Sequence, residues 1–124
     1  MDKRFKQTLF DLAVANDGVR GRIKLAAGVV YKNRLVAVGK NSYKSHPLMS
    51  KFGKNPEAIY LHAEVDAIKN ALRVLSLQEL EKSDILVVRV RKEGHDFQTC
   101  LAKPCEGCMR AITTFNLRNL YYTE

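Results

Sequence analysis

The stretches His62-Ala63-Glu64-Val65-Asp66-Ala67-Ile68 and Pro104-Cys105-Glu106-Gly107-Cys108 are the most informative parts of this 124-residue chain. His62, Cys105 and Cys108 offer one imidazole and two thiolates, a ligand set that suits the borderline-soft cation Zn²⁺. Three protein ligands leave the fourth tetrahedral position open, as in catalytic zinc sites. Glu64 follows the histidine by two residues, so at a helix start its carboxylate can face that open position. The pattern therefore predicts a catalytic zinc site with Glu64 as proton shuttle.

Each half of this pattern has a simpler interpretation when it is taken alone. Cys105-x-x-Cys108 also occurs in redox-active dithiols and in halves of structural zinc sites. The triplet His62-Ala63-Glu64 alone is close to chance frequency. A non-catalytic, zinc-stabilised binding module also remains an alternative, because such a module would keep the three ligands and have no need of Glu64.

Hydrophobic periodicity predicts the remaining elements. Apolar residues at helical spacing predict helices over Phe5–Asn16, Ile59–Leu75 and Cys105–Phe115. Met109 and Ile112 are expected to face inward in the last of these. Runs rich in β-branched and aromatic residues predict strands over Leu25–Tyr31, Leu35–Gly39, Ile85–Arg91 and Asn119–Thr123. The polar segment Asn41–Asn55 is expected to be a long loop, and Arg91–Ala102 a loop or a small excursion. A short polar turn at Lys32-Asn33-Arg34 should join the first two strands.

The order α-β-β-α-β-α-β predicts an α/β fold with three layers, α-β-α. Its mixed sheet should have about four to five strands and begin with the N-terminal hairpin, while strands separated by helices pair in parallel. Both metal-binding segments should then begin helices at one edge of the sheet. The partial positive charge of those helix N-termini favours thiolates at Cys105 and Cys108. Residues 1–124 are expected to form a single domain.

Composition limits the cellular setting and the partners. Lys and Arg number 21 against 13 Asp and Glu, giving a formal net charge of +8 that favours phosphate-bearing partners such as nucleotides, RNA or DNA. The 3 cysteines are an odd number, which argues against a closed disulfide framework and for a reducing compartment. The sequence shows neither the apolar run of a signal peptide nor the roughly 20 apolar residues of a membrane span. We therefore expect a cytoplasmic protein that does not associate with membranes.

Three segments give the chain a resemblance to the cytidine and deoxycytidylate deaminase superfamily: Gly39-Lys40-Asn41, His62–Ile68 and Pro104–Ile112. The resemblance implies a cytidine-deaminase-like fold and hydrolytic removal of an exocyclic amine from an aromatic base. It makes His62, Cys105 and Cys108 the Zn²⁺ ligands, with Glu64 as catalytic residue. It also implies that Asn41 and the backbone amide of Ala63 bind substrate, and that the protein is a homo-oligomer.

The substrate expected from this resemblance is a free cytosine nucleoside or nucleotide such as dCMP, CMP or cytidine. Basic residues near the pocket are candidates for holding a 5′-phosphate, namely Lys44, Lys51, Lys54, Arg20 and Arg22. A base deaminase acting on RNA or single-stranded DNA is the alternative, with Tyr43, Phe52 and Tyr60 as stacking surfaces.

Four further residues have open roles at this stage. Asn41 can also act as a simple turn residue after the second strand. Cys100 is expected to be a bystander thiol, with an alternative ligand role left open by its closeness to Pro104. His46 and His95 stand in polar segments, where solvated imidazoles are expected.

Overall fold

The structure is a computed structural model that describes residues 2–16, 23–42 and 62–124. Its elements in chain order are α1 (Lys3–Val14), β1 (Ile23–Tyr31), β2 (Arg34–Lys40), α2 (Ala63–Ala71), α3 (Leu77–Glu81), β3 (Asp84–Glu93), β4 (Asp96–Cys100), α4 (Glu106–Thr114) and β5 (Asn119–Tyr122). The predicted helices and strands are all present, and the short α3 and the strand β4 are additional.

The strands form one mixed sheet of five strands. β1 pairs antiparallel with β2 along one edge and antiparallel with β3 along the other. The far edge of β3 is divided, because β4 pairs antiparallel with its second half and β5 pairs parallel with its first half. The α/β class, the mixed sheet and the N-terminal hairpin are therefore confirmed.

The predicted pairing of strands across helices is correct in one place and wrong in another. β5 pairs in parallel with β3, from which α4 separates it. β2 and β3 are also separated by a helix and run in the same direction, but β1 lies between them. The other edge of β2 is instead covered by α2, because Asp66 Oδ2 accepts the Lys40 N–H at 3.0 Å and Asn70 Nδ2 donates to the Val38 carbonyl at 2.7 Å.

The two hairpins have tight turns. Lys32 and Asn33 have φ of 50° and 62°, the positive values that a two-residue type I′ turn requires. Gly94 has φ of 63° in the turn between β3 and β4. Of the two alternatives expected over Arg91–Ala102, the loop is therefore wrong and the excursion takes the form of a hairpin, since β3 continues to Glu93 and β4 returns along it. The alternation that marks a strand is weak in β4, because only Phe97 packs against a core cluster.

Two hydrophobic clusters lie on opposite faces of the sheet, as side-chain alternation along β1 and β3 requires. Leu9 and Ala13 of α1 pack on one face against Ala26, Leu86 and Val88. The other face carries α2 and α4, packed against a set of β1 and β3 side chains, namely Ala27, Val29, Ile85 and Val87. The three layers α-β-α are thus formed, and among the described helices α1 is the one that packs on the first face.

Two helices differ in detail from their predicted form. α2 begins at Ala63 and ends at Ala71, and the turns after it still bring Leu72 and Leu75 against the core cluster. Met109 was expected to face inward, but it is 36% exposed, whereas Ile112 is 5% exposed as expected. The buried face of α4 is defined by Cys108, Ala111 and Ile112, at the i, i+3, i+4 spacing, and Met109 lies outside it.

None of the helices in the described ranges is long and apolar enough to cross a membrane.

Candidate metal and substrate site

The N-terminus of α2 holds the first group of site residues. His62 is the N-cap residue, with extended backbone at φ −87° and ψ 151°, and its carbonyl accepts the Asp66 N–H at 2.9 Å. Ala63 and Glu64 are the first two helical residues, and both are buried. The imidazole therefore projects from a cap position while the carboxyl group of Glu64 is directed by the first helical turn.

The N-terminus of α4 holds the second group. Cys105 is the N-cap residue and is exposed, whereas Cys108 lies in the first helical turn and is buried. The starts of the two helices lie side by side, so residues more than forty positions apart in the chain become neighbours. The predicted convergence of the two helix N-termini is present.

The three predicted ligand atoms form one cluster. His62 Nδ1 lies 3.2 Å from Cys108 Sγ and 3.5 Å from Cys105 Sγ, and all the ligand atoms of the three residues lie within 4.8 Å of one another. Zn–N bonds of about 2.0 Å and Zn–S bonds of about 2.3 Å in tetrahedral geometry separate N and S by roughly 3.5 Å. The spacing and the chemistry of this donor set both fit Zn²⁺, with Nδ1 as the histidine ligand.

The polarity of this cluster favours negative charge on the exposed cysteine. Hydrogen bonds from Cys108 and His62 lower the pKa of Cys105 to about 3, against an ordinary value of 9.0. The hydrogen bond that Cys108 makes to Cys105, together with burial, holds the pKa of the Cys108 thiol well above its usual range. The same partner, Cys105, raises the pKa of His62 through a hydrogen bond. A cation that approaches this cluster therefore meets a group that ionises readily.

Glu64 is a buried carboxyl group beside the cluster. It is 4% exposed, and this burial is the main reason why its pKa is raised. The charge on His62 opposes this effect and lowers the Glu64 pKa. A side-chain hydrogen bond with Cys108 acts in the same direction as His62. A carboxyl group whose pKa is raised by burial holds its proton more readily than an exposed one, which suits a group that delivers protons to a substrate.

Asn41 lies where β2 ends, with its carboxamide fixed by the chain around it. Its Oδ1 accepts the Leu25 N–H at 2.9 Å and a hydrogen bond from Asn16 Nδ2 at 2.8 Å. Asn16 Nδ2 also lies 2.9 Å from the Asn41 carbonyl oxygen. Because the backbone N–H of Leu25 can only donate, the side-chain oxygen of Asn41 must point inward. Its amide nitrogen donates to none of the described residues.

Asp66 connects this position to the helix that carries His62 and Glu64. Its carboxylate accepts the Lys40 N–H and pairs with Lys69 Nζ at 2.9 Å. Asn41 directly follows Lys40, so this asparagine and the helix that carries Glu64 are linked through one buried carboxylate.

Thr123 holds the segment that leads to the cysteines. Its Oγ1 donates to the Cys100 carbonyl at 2.7 Å and accepts the Arg89 N–H at 3.2 Å, while its carbonyl accepts the Ala102 N–H at 2.8 Å. Thr123 therefore lies at the junction on the far edge of β3, where pairing with β5 ends and pairing with β4 begins. No local pattern in the sequence marks this role.

The remaining candidates lie apart from the cluster or outside the described residues. Cys100 is half-buried in β4 and is not part of the described metal-ligand cluster. His95 is exposed in the turn between β3 and β4. Most of the predicted loop Asn41–Asn55 lies outside the described ranges. So do the candidate residues Arg20, Arg22, Tyr43, Lys44, His46, Lys51, Phe52, Lys54 and Tyr60.

Solved structures with a similar fold are deaminases. The dCMP deaminase from the cyanophage S-TIM5 in complex with dCMP and dUMP is 20% identical, with a TM-score of 0.62 over 98% of this chain and 82% of that one. Its apo form is 21% identical, with a TM-score of 0.55 over 98% of this chain and 84% of that one. Guanine deaminase from Bacillus subtilis is 23% identical, with a TM-score of 0.61 over 99% of this chain and 64% of that one.

A comparison with curated proteins gave no match. A family model does match, and it spans residues 1–124. Its description is the zinc-binding region of cytidine and deoxycytidylate deaminases. The match agrees with the His62, Cys105 and Cys108 cluster, whose geometry suits the same metal. The chain therefore belongs to the cytidine and deoxycytidylate deaminase family of zinc-dependent hydrolases.

Proposed function

We propose that this protein removes the exocyclic amine of a free cytosine nucleotide by hydrolysis, giving the uracil form and ammonia. The observation that carries the proposal is the meeting of His62, Cys105 and Cys108 beside the buried carboxyl group of Glu64. A family of zinc-dependent deaminases supplies the reaction class, and the residues below supply the roles within it.

His62, Cys105 and Cys108 are the proposed zinc ligands. When bound, zinc acts as a Lewis acid that makes a water molecule nucleophilic near neutral pH. The three side chains come from two helix N-termini, whose partial positive charge also stabilises the thiolates. Holding the ligands on two helices that pack on one sheet keeps their separation constant, which preorganises the site.

Glu64 is the proposed catalytic acid and base. In hydrolysis, water adds to the ring carbon that bears the amine, and the carbon–nitrogen bond then breaks. Glu64 accepts a proton from the water and delivers it to the ring nitrogen. It then accepts the proton of the added hydroxyl group and delivers it to the amine, which leaves as ammonia while that oxygen becomes the uracil carbonyl. Burial supports these steps, because it raises the carboxyl pKa and so favours the protonated form that delivers a proton.

Asn41 and Ala63 are the proposed substrate contacts. The Asn41 amide nitrogen is directed away from its inward hydrogen bonds, so it suits a hydrogen-bond acceptor on the substrate. Ala63 is the first residue of α2, where backbone N–H groups have no partner within the helix. Its N–H is therefore available to an oxygen or nitrogen of the base.

A phosphate on the substrate is supported by Arg89. Alternation along β3 puts Arg89 on the same face as Val87, which packs in the cluster with α2 and α4. Arg89 is in register with Leu25, whose N–H donates to Asn41 Oδ1. The Nη1 of Arg89 donates to the Leu101 carbonyl at 3.3 Å, while the Nε of Arg89 is buried without a hydrogen-bond partner among the described residues. Guanidinium groups pair with phosphates in a bidentate manner, and we therefore propose a nucleotide rather than a nucleoside.

The test is ammonia release from a panel of cytidine, deoxycytidine, CMP, dCMP, adenosine, guanine and cytosine-containing single strands, with zinc assayed on the same preparation. Turnover of CMP or dCMP that is lost in Glu64→Gln, with zinc content unchanged, supports the proposal. The amide of that variant is nearly isosteric with the carboxyl group, so we expect the variant to fold. Turnover of strands alone favours the RNA or single-stranded DNA alternative, and turnover of guanine alone moves the assignment to another base.

The phosphate contact has its own comparison. Arg89→Met is expected to raise KM for dCMP about tenfold or more while leaving KM for deoxycytidine nearly unchanged, since a charge-assisted hydrogen bond is worth roughly 1.5–3 kcal/mol. Arg34→Met, at an exposed position where β2 begins, is the matched control. Equal effects of Arg89→Met on both compounds would remove Arg89 from the phosphate site.

Three further proposals rest on the family and on composition. We propose that residues 1–124 form one deaminase domain, which the match across that range supports. A cytoplasmic location and a homo-oligomeric state stay predictions. Cell fractionation and sedimentation at several concentrations are the measurements that check them.

A further inference from the structure

We infer that Asn16 is a positioning residue that orients the Asn41 carboxamide for substrate, an inference that rests on the proposed substrate role of Asn41. Asn16 stands two residues after the end of α1, and it is 1% exposed. It is therefore a buried polar side chain that the proposed chemistry does not use directly.

Two hydrogen bonds join the pair. Asn16 Nδ2 lies 2.8 Å from Asn41 Oδ1 and 2.9 Å from the Asn41 carbonyl oxygen, so one amide group holds both the side chain and the backbone of Asn41. A third bond, from the Leu25 N–H to Asn41 Oδ1 at 2.9 Å, closes the network from β1. These bonds fix the carboxamide on its oxygen side.

The consequence is a defined polarity at the substrate side. With Oδ1 occupied by two donors, a rotation that exchanged the oxygen and nitrogen of Asn41 would direct an NH₂ group at the Leu25 N–H and at the Asn16 NH₂. Such a donor-to-donor arrangement is unfavourable, because it leaves buried groups without hydrogen-bond partners. Asn41 therefore presents its amide N–H groups, and the substrate atom that it reads is an acceptor.

Through this network, the segment that follows α1 is joined to the proposed substrate contact at Asn41. α1 packs on the far face of the sheet, away from α2 and α4. Asn16 follows α1 in the chain, and its side chain bonds Asn41 directly after the end of β2. Among the described residues, removing the Asn16 amide leaves Asn41 Oδ1 with one donor, the Leu25 N–H, around which the carboxamide can tilt.

The first test needs no turnover. In ¹⁵N-labelled, zinc-containing protein, the Asn41 side-chain amide signal is assigned by its absence in Asn41→Asp. Its order parameter is expected to be near the rigid value of about 0.85 and to fall below about 0.6 in Asn16→Ala. Asn70→Ala is the matched control, because Asn70 also bonds the β2 backbone, at Val38, without touching Asn41. Asn16→Leu keeps the side-chain volume if the alanine variant folds poorly.

The second test is a double-mutant cycle, with kinetics measured on the nucleotide that the wild-type protein deaminates. Asn16→Ala is expected to raise KM about tenfold in the wild-type background and to have no further effect in Asn41→Ala, since residues in one network are coupled. Zinc content and kcat should change little. An equal effect of Asn16→Ala in both backgrounds, or an unchanged Asn41 order parameter, overturns the inference. Absence of all turnover instead overturns the proposed function, while the amide measurement still decides the role of Asn16.

Discussion

Gly39 of β2 and Ala67 of α2 approach so closely that a Cβ on Gly39 would lie 2.2 Å from the Ala67 backbone nitrogen. The same Cβ would lie 2.6 Å from the Ala63 carbonyl oxygen. Both obstacles belong to the backbone of α2, so neither can rotate away. This contact seats the helix of His62 and Glu64 directly against the strand that leads to Asn41.

Gly39→Ala is therefore expected to destabilise the protein by about 3 kcal/mol or more, because the helix must move off the strand. Chemical denaturation of the zinc-containing protein measures the loss. Gly28→Ala is the control, since its Cβ would meet mainly the movable end of the Leu35 side chain, at 2.5 Å. We expect that variant to lose roughly 1 kcal/mol. Similar losses in the two variants would contradict the argument from close backbone contact.

Zinc removal should lower the stability of the protein, and this effect should depend on the proposed ligands Cys105 and Cys108 and not on Cys100. A ligand present at 1,000 times its dissociation constant stabilises a protein by about 4.1 kcal/mol, so a chelator is expected to lower the melting temperature of the wild-type protein clearly. Cys105→Ser should abolish this dependence on zinc. Cys100→Ser should preserve it, because Cys100 is not in the described ligand cluster. A loss in both variants would reopen the role of Cys100 as a ligand.

Thr123→Val should weaken the junction between β3, β4 and the segment before Pro104. The change keeps the shape of the side chain but leaves the Cys100 carbonyl and the Arg89 N–H without their shared partner. The expected loss is about 1–3 kcal/mol in the free energy of unfolding, measured by denaturant titration. Thr113→Val, at an exposed position of α4, is expected to change stability by no more than about 0.5 kcal/mol. Equal effects of the two changes would argue that the Thr123 hydroxyl is dispensable.

We expect protein stability to depend slightly on pH through the capping carboxylate of Glu79. Its carboxylate accepts the Ser76 N–H at 2.9 Å in a capping box, and this bond lowers its pKa from the ordinary 4.5. The charged form is favoured in the fold, so its contribution is present above the unfolded-state pKa and is lost as pH falls through the lower folded-state pKa. The difference in melting temperature between wild type and Glu79→Gln should shrink as pH falls below about 4.5.

Glu81→Gln is the control for that comparison. Glu81 stands in the same helix, α3, outside the capping box. Its difference from wild type should vary less over the same pH range. A Glu79→Gln difference that stays constant down to acid pH would show that the capping carboxylate does not act through its charge.

The site chemistry was largely predictable from the sequence, whereas part of the topology was not. The cluster of His62, Cys105 and Cys108 was predictable because imidazole and thiolate are groups that bind zinc and because the spacing of these residues suits helix starts. β4 was missed because its side chains are mostly polar and exposed, so the alternation that marks a strand is weak. Met109 was misplaced because helical periodicity alone does not say which face of α4 meets the sheet.

By itself, the sequence determined the α/β class, the order of the main elements and the groups able to bind a metal, since periodicity and side-chain chemistry are local properties. Only the tertiary structure decided that β1 lies between β2 and β3, that His62 Nδ1 faces both sulfurs, and that Asn16 holds Asn41. These relationships join residues far apart in the chain. They depend on how helices pack against the sheet, which no short stretch of sequence specifies.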